Sequence, residues 1–302
     1  ALDEAINQFD KVGNKEHFPV EFEGGIQMSA QFGGDQYIAG QKEPVIDMPT
    51  RFVDFMRVLV PMAGDDTTPE GEQVNIYGNH VGSWNFAATA YLNRWKVKIY
   101  YEHYFDDHSQ MFFQYGRWKD GHIGLEITFP KNRFIDTFVY EGLGTKDQTG
   151  PMLYDSFWGE FEEQISAKDN YYNHYLYQGW QHWGMGIGNP LLPGPIYNKN
   201  GQITFISNRV LAHHIGFCGS PCQSLSYRML LSYSRHWGTY DNPLNEIKKQ
   251  FNSLFEVTYA PQQLKRWSFT VSGAMDRGSM LGNNYGGMLV IRKQGIIKSG
   301  NK

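Results

Sequence analysis

Cysteine, charge and long apolar runs are all scarce in this chain, and each scarcity removes a class of protein. Only Cys218 and Cys222 are present, close together in FCGSPC. Two thiols cannot build a disulfide framework or a zinc knuckle, although one bridge across the local turn stays open in an oxidising compartment. No stretch reaches the length of a transmembrane helix, and the first residues, ALDEAINQFD, lack the basic start and apolar core of a signal peptide. The chain is therefore expected to be mature or trimmed at its beginning. Charged residues make up 19% and balance to −4, which gives no general attraction to phosphate backbones and excludes nucleic acid as an expected partner. Neither a GxSxG elbow nor a P-loop occurs, and no cofactor is expected.

What the chain has in abundance is aromatic side chains, 16% of residues, and 33 glycines. That composition belongs to strands and tight turns rather than helices. The pattern agrees. Val20, Phe22, Ile26 and Met28 alternate with Glu21, Glu23, Gln27 and Ser29, the period of a strand with one apolar face. Residues 31–50 read as a loop, 51–61 as either a short helix or a buried strand, and 65–79 as polar and turn-rich. From Trp84 the alternation is regular. Trp84, Phe86, Ala88, Ala90 and Leu92 oppose Asn85, Thr89 and Tyr91; Val97, Ile99 and Tyr101 oppose Lys96, Lys98 and Glu102. Strands are also expected at 123–129 and 134–140. Leu225, Tyr227, Met229, Leu231 and Tyr233 then oppose Ser226, Arg228, Ser232 and Ser234, and the period continues through Phe255–Tyr259 and Trp267–Met275.

Two architectures produce such strands. In a soluble sandwich the apolar faces of two sheets meet, whereas in a membrane barrel the apolar face meets lipid and the polar face lines a lumen. Segments of about nine to eleven residues favour the barrel. Lys96, Lys98, Glu102, Glu126, Arg228 and Glu256 would then face the lumen. Trp84, Trp95, Tyr104, Trp118, Tyr140, Trp237, Tyr259 and Trp267 would sit in interfacial girdles. Short connections at 93–94, 130–133 and 260–266 alternate with long ones at 106–110, 142–200, 238–250 and 277–284, the asymmetry of an outer-membrane barrel. The expectation is one all-β antiparallel barrel domain over residues 1–302, with about twelve strands.

The stretch 170–192, NYYNHYLYQGWQHWGMGIGNPLL, gathers Tyr171, Tyr172, Tyr175, Tyr177, Trp180 and Trp183 around His174 and His182. Rings beside amides and imidazoles suit a sugar, which offers an apolar C–H face and a rim of hydroxyls. The competing explanation is a structural girdle or core. Other chemistries are weaker. Asp106 and Asp107 with His108, or Glu160, Glu162 and Glu163, could supply the paired carboxylates of a glycosidase, but adjacent acids in a loop are usually just solvated. His213 and His214, as strand neighbours, point to opposite faces, and neither they nor His174 and His182 have a partner at a familiar metal-ligand spacing. The glycines of GMGIG lack the strand-turn-helix unit of a dinucleotide loop and fit tight turning better.

Several segments carry a resemblance. GNHVGS (78–83), PKNRFIDTFVYE (130–141), the 170–192 block, NRVLAHHIG (208–216), YSRHWGTYDNP (233–243) and NNYGGMLVIR (283–292) resemble the Wzi family of capsule assembly proteins over most of the chain. The resemblance implies a non-enzymatic outer-membrane β-barrel lectin at the surface of a gram-negative cell. Such a protein anchors or organises capsular polysaccharide, contacts outer-membrane lipid and has further envelope partners unknown. Family members have more strands and usually an additional helical portion near the beginning, so the chain would lack its N-terminal part. For a surface barrel that binds an acidic or neutral polysaccharide, side-chain chemistry sets the expected roles: Tyr172, Trp180 and Trp183 would stack on sugar faces and Asn173, His174, Gln181 and His182 would bond hydroxyls. Arg209, Arg228, Arg235 or Arg277 would pair with uronate carboxylates. The alternatives are a diffusion porin and a secreted carbohydrate-active enzyme on a soluble sandwich.

Overall fold

A computed structural model describes residues 19–74, 76–106, 108–113, 119–132, 134–150 and 168–295. The expectations for Asp107, Trp118, Glu160, Glu162 and Glu163 lie outside the described residues. The chain is all-β, with ten strands in one antiparallel sheet and a few short helices: β1 Val20–Gln31, β2 Asn79–Leu92, β3 Trp95–Phe105, β4 Gly121–Thr128, β5 Thr137–Gly144, β6 Val210–Cys222, β7 Leu225–Gly238, β8 Pro243–Tyr259, β9 Trp267–Gly278 and β10 Asn284–Lys293. They pair in sequence order. Two small hairpins, Gly34–Gln36 with Ile46–Met48 and Gln181–His182 with Met185–Gly186, stand outside the sheet. Among the described residues no pairing joins β1 to β10, so both edges are open, and no helix is long and apolar enough to cross a membrane.

Register keeps like with like across the sheet, as period-2 strands require. One row sets Phe217, Met229 and Phe255 side by side, and the next sets Cys218, Arg228 and Glu256 together on the other face. The apolar face is uncovered. Phe22 is 81% exposed, Ile99 54%, Val271 61% and Leu289 63%. Among the described residues no second sheet packs against it, so the two-sheet interior of a sandwich is not what these strands build. The buried apolar clusters lie in the connections instead. Leu192 and Phe205 pack with Val210 and Ala212 at the start of β6, and Met48, Val58 and Tyr77 form a second cluster.

The polar face is closed on itself by cross-strand bonds. His122 sits 3.4 Å from Glu141 and 3.8 Å from Glu102, while Tyr100 donates to Glu141. His214 Nδ1 lies 2.7 Å from Ser232 Oγ, and Asn252 donates to Asp276 at 2.6 Å. Polar-face residues of β1 through β8, from Gln27 to Asn252, line one cavity of about 820 Å³, so the sheet is concave toward that face.

Both two-residue turns, 93–94 and 223–224, lie at one end. Asn93 and Arg94 both have positive φ, 58° and 81°, the twist-matched geometry of a two-residue hairpin. In the β4–β5 turn Asn132 Oδ1 accepts from the backbone of Phe134 and Ile135 at 2.8 and 2.9 Å, holding both out of the ladder; the strand runs 137–144 rather than 134–140. Residues 32–78, 106–120 and 145–209 form the long connections at the other end. The expected long loops at 238–250 and 277–284 are corrected to 239–242 and 279–283. β8 begins at Pro243 because Lys248 and Lys249 stay in register with His236 and Arg235, although PLNEIKKQ has too few apolar residues to show a strand period. Tyr104 also departs from its expected girdle position. It pairs with Ser83 on the polar face and lines the cavity.

The ambiguous segment 51–61 holds a helix, α1 Phe52–Leu59. Asp54 caps the helix start, its carboxylate accepting from Arg51 N at 2.9 Å, and this fully buried side chain is held by Arg51 at 2.8 Å and Arg57 at 3.0 Å, which both reach Asp65. A second short helix, α2 Glu70–Val74, follows.

Candidate functional site

The described residues of the connections 32–78 and 145–209 fold together into a cap over the concave end. Its hub is polar and buried. Asn208, fully buried, donates to Asn170 Oδ1 at 2.5 Å and Tyr171 O at 2.7 Å and accepts from Gln148 Nε2 at 2.9 Å. Asp120, at the entrance to β4, accepts from the backbone N–H groups of Asp147 and Gln148 at 2.9 and 2.5 Å and from the Tyr171 hydroxyl at 3.0 Å. Burial nevertheless dominates, pushing the Asp120 carboxyl up to about 6. Two segments distant in sequence are thus tied to the sheet by buried side chains that bond inside the protein.

A second tie links the cap's two halves. Glu72 of α2 is 1% exposed and accepts from Gly78 N at 2.6 Å and the Tyr175 hydroxyl at 2.9 Å. Desolvation raises its pKa. His174 Nδ1 accepts from Leu176 N at 3.1 Å, which leaves Nε2 carrying the proton 3.8 Å from Glu72. Burial, with His80 nearby, lowers the His174 pKa to about 4, so the ring is neutral at neutral pH. The Tyr175 ring stacks on His174 with centroids 4.9 Å apart, yet Tyr175 remains 61% exposed. Its other face is open.

That open face belongs to a groove of about 1310 Å³ across the cap. Amides supply much of its wall, among them Asn170, Asn200, Gln202 and Asn242, with Glu72, Asp106 and Asp169 as carboxylates and Lys168 as the lone cation among its described lining residues. Lys168 donates to Gln148 O at 3.1 Å and lies over the Tyr240 ring. The lower cavity meets the groove at Asp106, which lines both.

The residues singled out in the sequence divide into four places. Tyr172, Asn173 and Trp180 are structural parts of the cap. The Tyr172 hydroxyl accepts from Asn189 N at 3.0 Å, and its ring meets the edge of Phe205 while also lining the lower cavity. Asn173 donates to Phe205 O and accepts from Phe205 N, at 2.9 and 2.8 Å. Trp180 is only 9% exposed, so it has no free face to stack on a ligand. His174 stands in the groove wall. Gln181, His182 and Trp183 form an exposed hairpin tip, where Gln181 Oε1 accepts from Gly184 N at 2.7 Å and Trp183 is 86% exposed. The turn needs Gly184, whose φ is 78° and whose side chain would press on Ile196.

The arginines do not meet in the groove. Arg209 lies 3.7 Å over Tyr240 and donates to Lys146 O. Arg235 is on the outward face beside Trp237. Arg228 pairs with Glu256 at 3.0 Å near the tight-turn end, in a small cavity with Cys218, Ser220 and Thr258. Cys218 and Cys222 are free thiols. Sequence reasoning names Tyr175 among the aromatics of 170–192 but gives it no sugar-binding role, and it does not single out Asn200, Gln202 and Asn242. Among the described residues no group of three or more His, Cys, Asp or Glu side chains is placed to hold a metal ion.

Comparison with models of known families, with curated proteins and with solved structures finds no match for this chain.

Proposed function

We propose that the chain forms the wall of an outer-membrane β-barrel whose cap binds surface polysaccharide at the cell exterior, the role implied by its resemblance to Wzi proteins of capsule assembly. The observation that carries the reading is the uncovered apolar face of the sheet. A water-soluble protein rarely leaves so large a contiguous apolar surface open, and lipid is the medium that satisfies it. The cap supports the rest. Its groove combines an open, back-supported Tyr175 ring with amide side chains, the donors and acceptors that sugar hydroxyls need. Because Arg209, Arg228 and Arg235 lie elsewhere and the groove is rich in carboxylates, its natural occupant is a neutral stretch of glycan rather than a uronate.

The test is polysaccharide binding by detergent-solubilised protein and retention of polysaccharide on the cell, for Tyr175→Ala and Tyr175→Phe. Loss of the ring should weaken binding by about 1 kcal/mol, whereas Phe keeps the stacking face and most of the affinity. Equal binding by wild type and Tyr175→Ala, with the barrel correctly inserted, removes the groove as the site.

A further inference from the structure

On the outward face of β6 to β9, near the capped end, basic side chains gather without acidic partners among the described residues. Arg235 lies directly opposite Lys249 in the register. In the adjacent row toward the tight-turn end, His213, Tyr233, Phe251 and Arg277 stand side by side. In the adjacent row toward the cap, the Trp237 ring carries the Lys146 ammonium 5.2 Å and the Arg235 guanidinium 5.5 Å from its centroid. Among the described residues no ion pair engages Lys146, Arg235, Lys249 or Arg277. Like charges set opposite each other on a sheet repel, so an unneutralised Arg235–Lys249 pair costs stability unless an anion lies between them. Farther from the cap the same face turns apolar, first with Phe217, Met229 and Phe255, then with Tyr227, Val257, Val271 and Leu289.

We propose that this shelf holds the phosphate of a membrane lipid headgroup. Arg235, Lys249 and Arg277 contact the phosphate, and the apolar rows beneath seat the acyl chains. The proposal rests on the lipid-facing reading of the outward face. Guanidinium forks match phosphate oxygens in a bidentate manner, and a Trp flanked by cations is what the boundary between hydrocarbon and headgroups selects. An acidic glycan offers anions too, but it would have no use for the apolar rows with which the shelf is continuous.

The experiment uses the full chain in dodecyl maltoside, titrated with dimyristoyl phosphatidylglycerol or dimyristoyl phosphatidylcholine, with bound lipids counted by native mass spectrometry. Wild type should retain phosphatidylglycerol preferentially. The combined variant Arg235→Gln, Lys249→Gln, Arg277→Gln should bind it about a hundredfold more weakly, at ~1 kcal/mol for each cation near an anionic surface. The combined variant Lys131→Gln, Lys265→Gln, at the tight-turn end, should match wild type. Heat-modifiable migration on a gel confirms that each variant is folded.

Equal retention of both lipids by wild type, or unchanged phosphatidylglycerol binding by the triple variant, overturns the proposal. Binding of polygalacturonate that the triple variant loses while keeping its lipid reassigns the shelf to an acidic glycan and likewise overturns it. A chain that stays monodisperse without detergent sinks the membrane reading itself. A detergent-dependent chain without lipid preference sinks only the shelf.

Discussion

Replacing Asp120 by Asn should change how the cap's stability depends on pH, with a sign fixed by the site. Asp120 is 2% exposed, and burial raises its carboxyl from 3.8 to about 6. Between those values the folded cap holds a proton that the opened chain has released, so stability falls as pH rises through the window and the loss is complete above about 6. A displacement of that size corresponds to about 3 kcal/mol. The amide of the Asp120→Asn variant would carry no such charge, but it keeps only one acceptor oxygen. It therefore loses the bond from Asp147 N or those from Gln148 N and Tyr171, a constant cost of ~1–3 kcal/mol. The variant should be the weaker protein near pH 4 and gain on wild type as the pH approaches 7. His174 titrates in an overlapping window with the opposite sign, since its lowered pKa makes acid destabilising, but it is present in both proteins and cancels from the difference. Hydrogen exchange of peptides covering 145–150 and 168–173, compared at matched pH, reports the opening free energy of this region. Parallel profiles for the two proteins across that range would refute a buried, proton-binding Asp120.

Phe205→Ala, at a residue 1% exposed between Leu192 and Val210, should cost about 3–5 kcal/mol of cap stability and speed limited proteolysis within 168–208, leaving the sheet's gel migration unchanged. Trp180→Ala should behave as a packing loss of similar size, whereas Trp183→Ala, at 86% exposure, should stay within about 0.5 kcal/mol of wild type in the same proteolysis assay. Equal effects of the two would contradict their placement. Arg228→Gln removes a partly exposed ion pair at the tight-turn end, worth about 0–1 kcal/mol, and should leave polysaccharide binding unchanged.

The sheet was largely legible because its signal is local. Leu225 to Tyr233 alternates with Ser226 to Ser234 except at Leu230, and the register keeps the two sets in separate rows. Where β8 passes beyond the apolar rows, Glu246, Lys248 and Lys249 erase the period, and only the hydrogen-bonded register with β7 reveals a strand. The cap was less legible because its contacts join residues far apart. Asn208 bonds Gln148 and Asn170, and Glu72 receives Tyr175, pairings that no spacing announces. The aromatic block shows the limit most clearly. Trp180 and Trp183 look alike in sequence, yet a positive φ of 51° at Trp183 throws that ring outward while Trp180 turns into the cap. The sugar-binding expectation groups both with Arg228, which lies at the opposite end.

The distribution of apolar burial also bears on how the fold is stabilised. Of the two compact apolar clusters, that around Tyr77 lies in the cap and that around Phe205 joins the cap to the start of β6, while the sheet holds its polar face together with bonds such as Thr258 to Thr270 at 2.8 Å and His214 to Ser232. Cross-strand hydrogen bonds contribute only about 0.5–1.5 kcal/mol each in net terms, because water competes for the same groups. An apolar medium against the outward face both satisfies Phe22, Ile99, Val271 and Leu289 and removes that competition for the backbone ladder. The cap therefore carries its own hydrophobic stabilisation, whereas the sheet depends on what covers it. If the outward face meets lipid as proposed, dilution out of detergent should expose this difference, with strand association or loss of sheet structure preceding any change in the Tyr77 cluster.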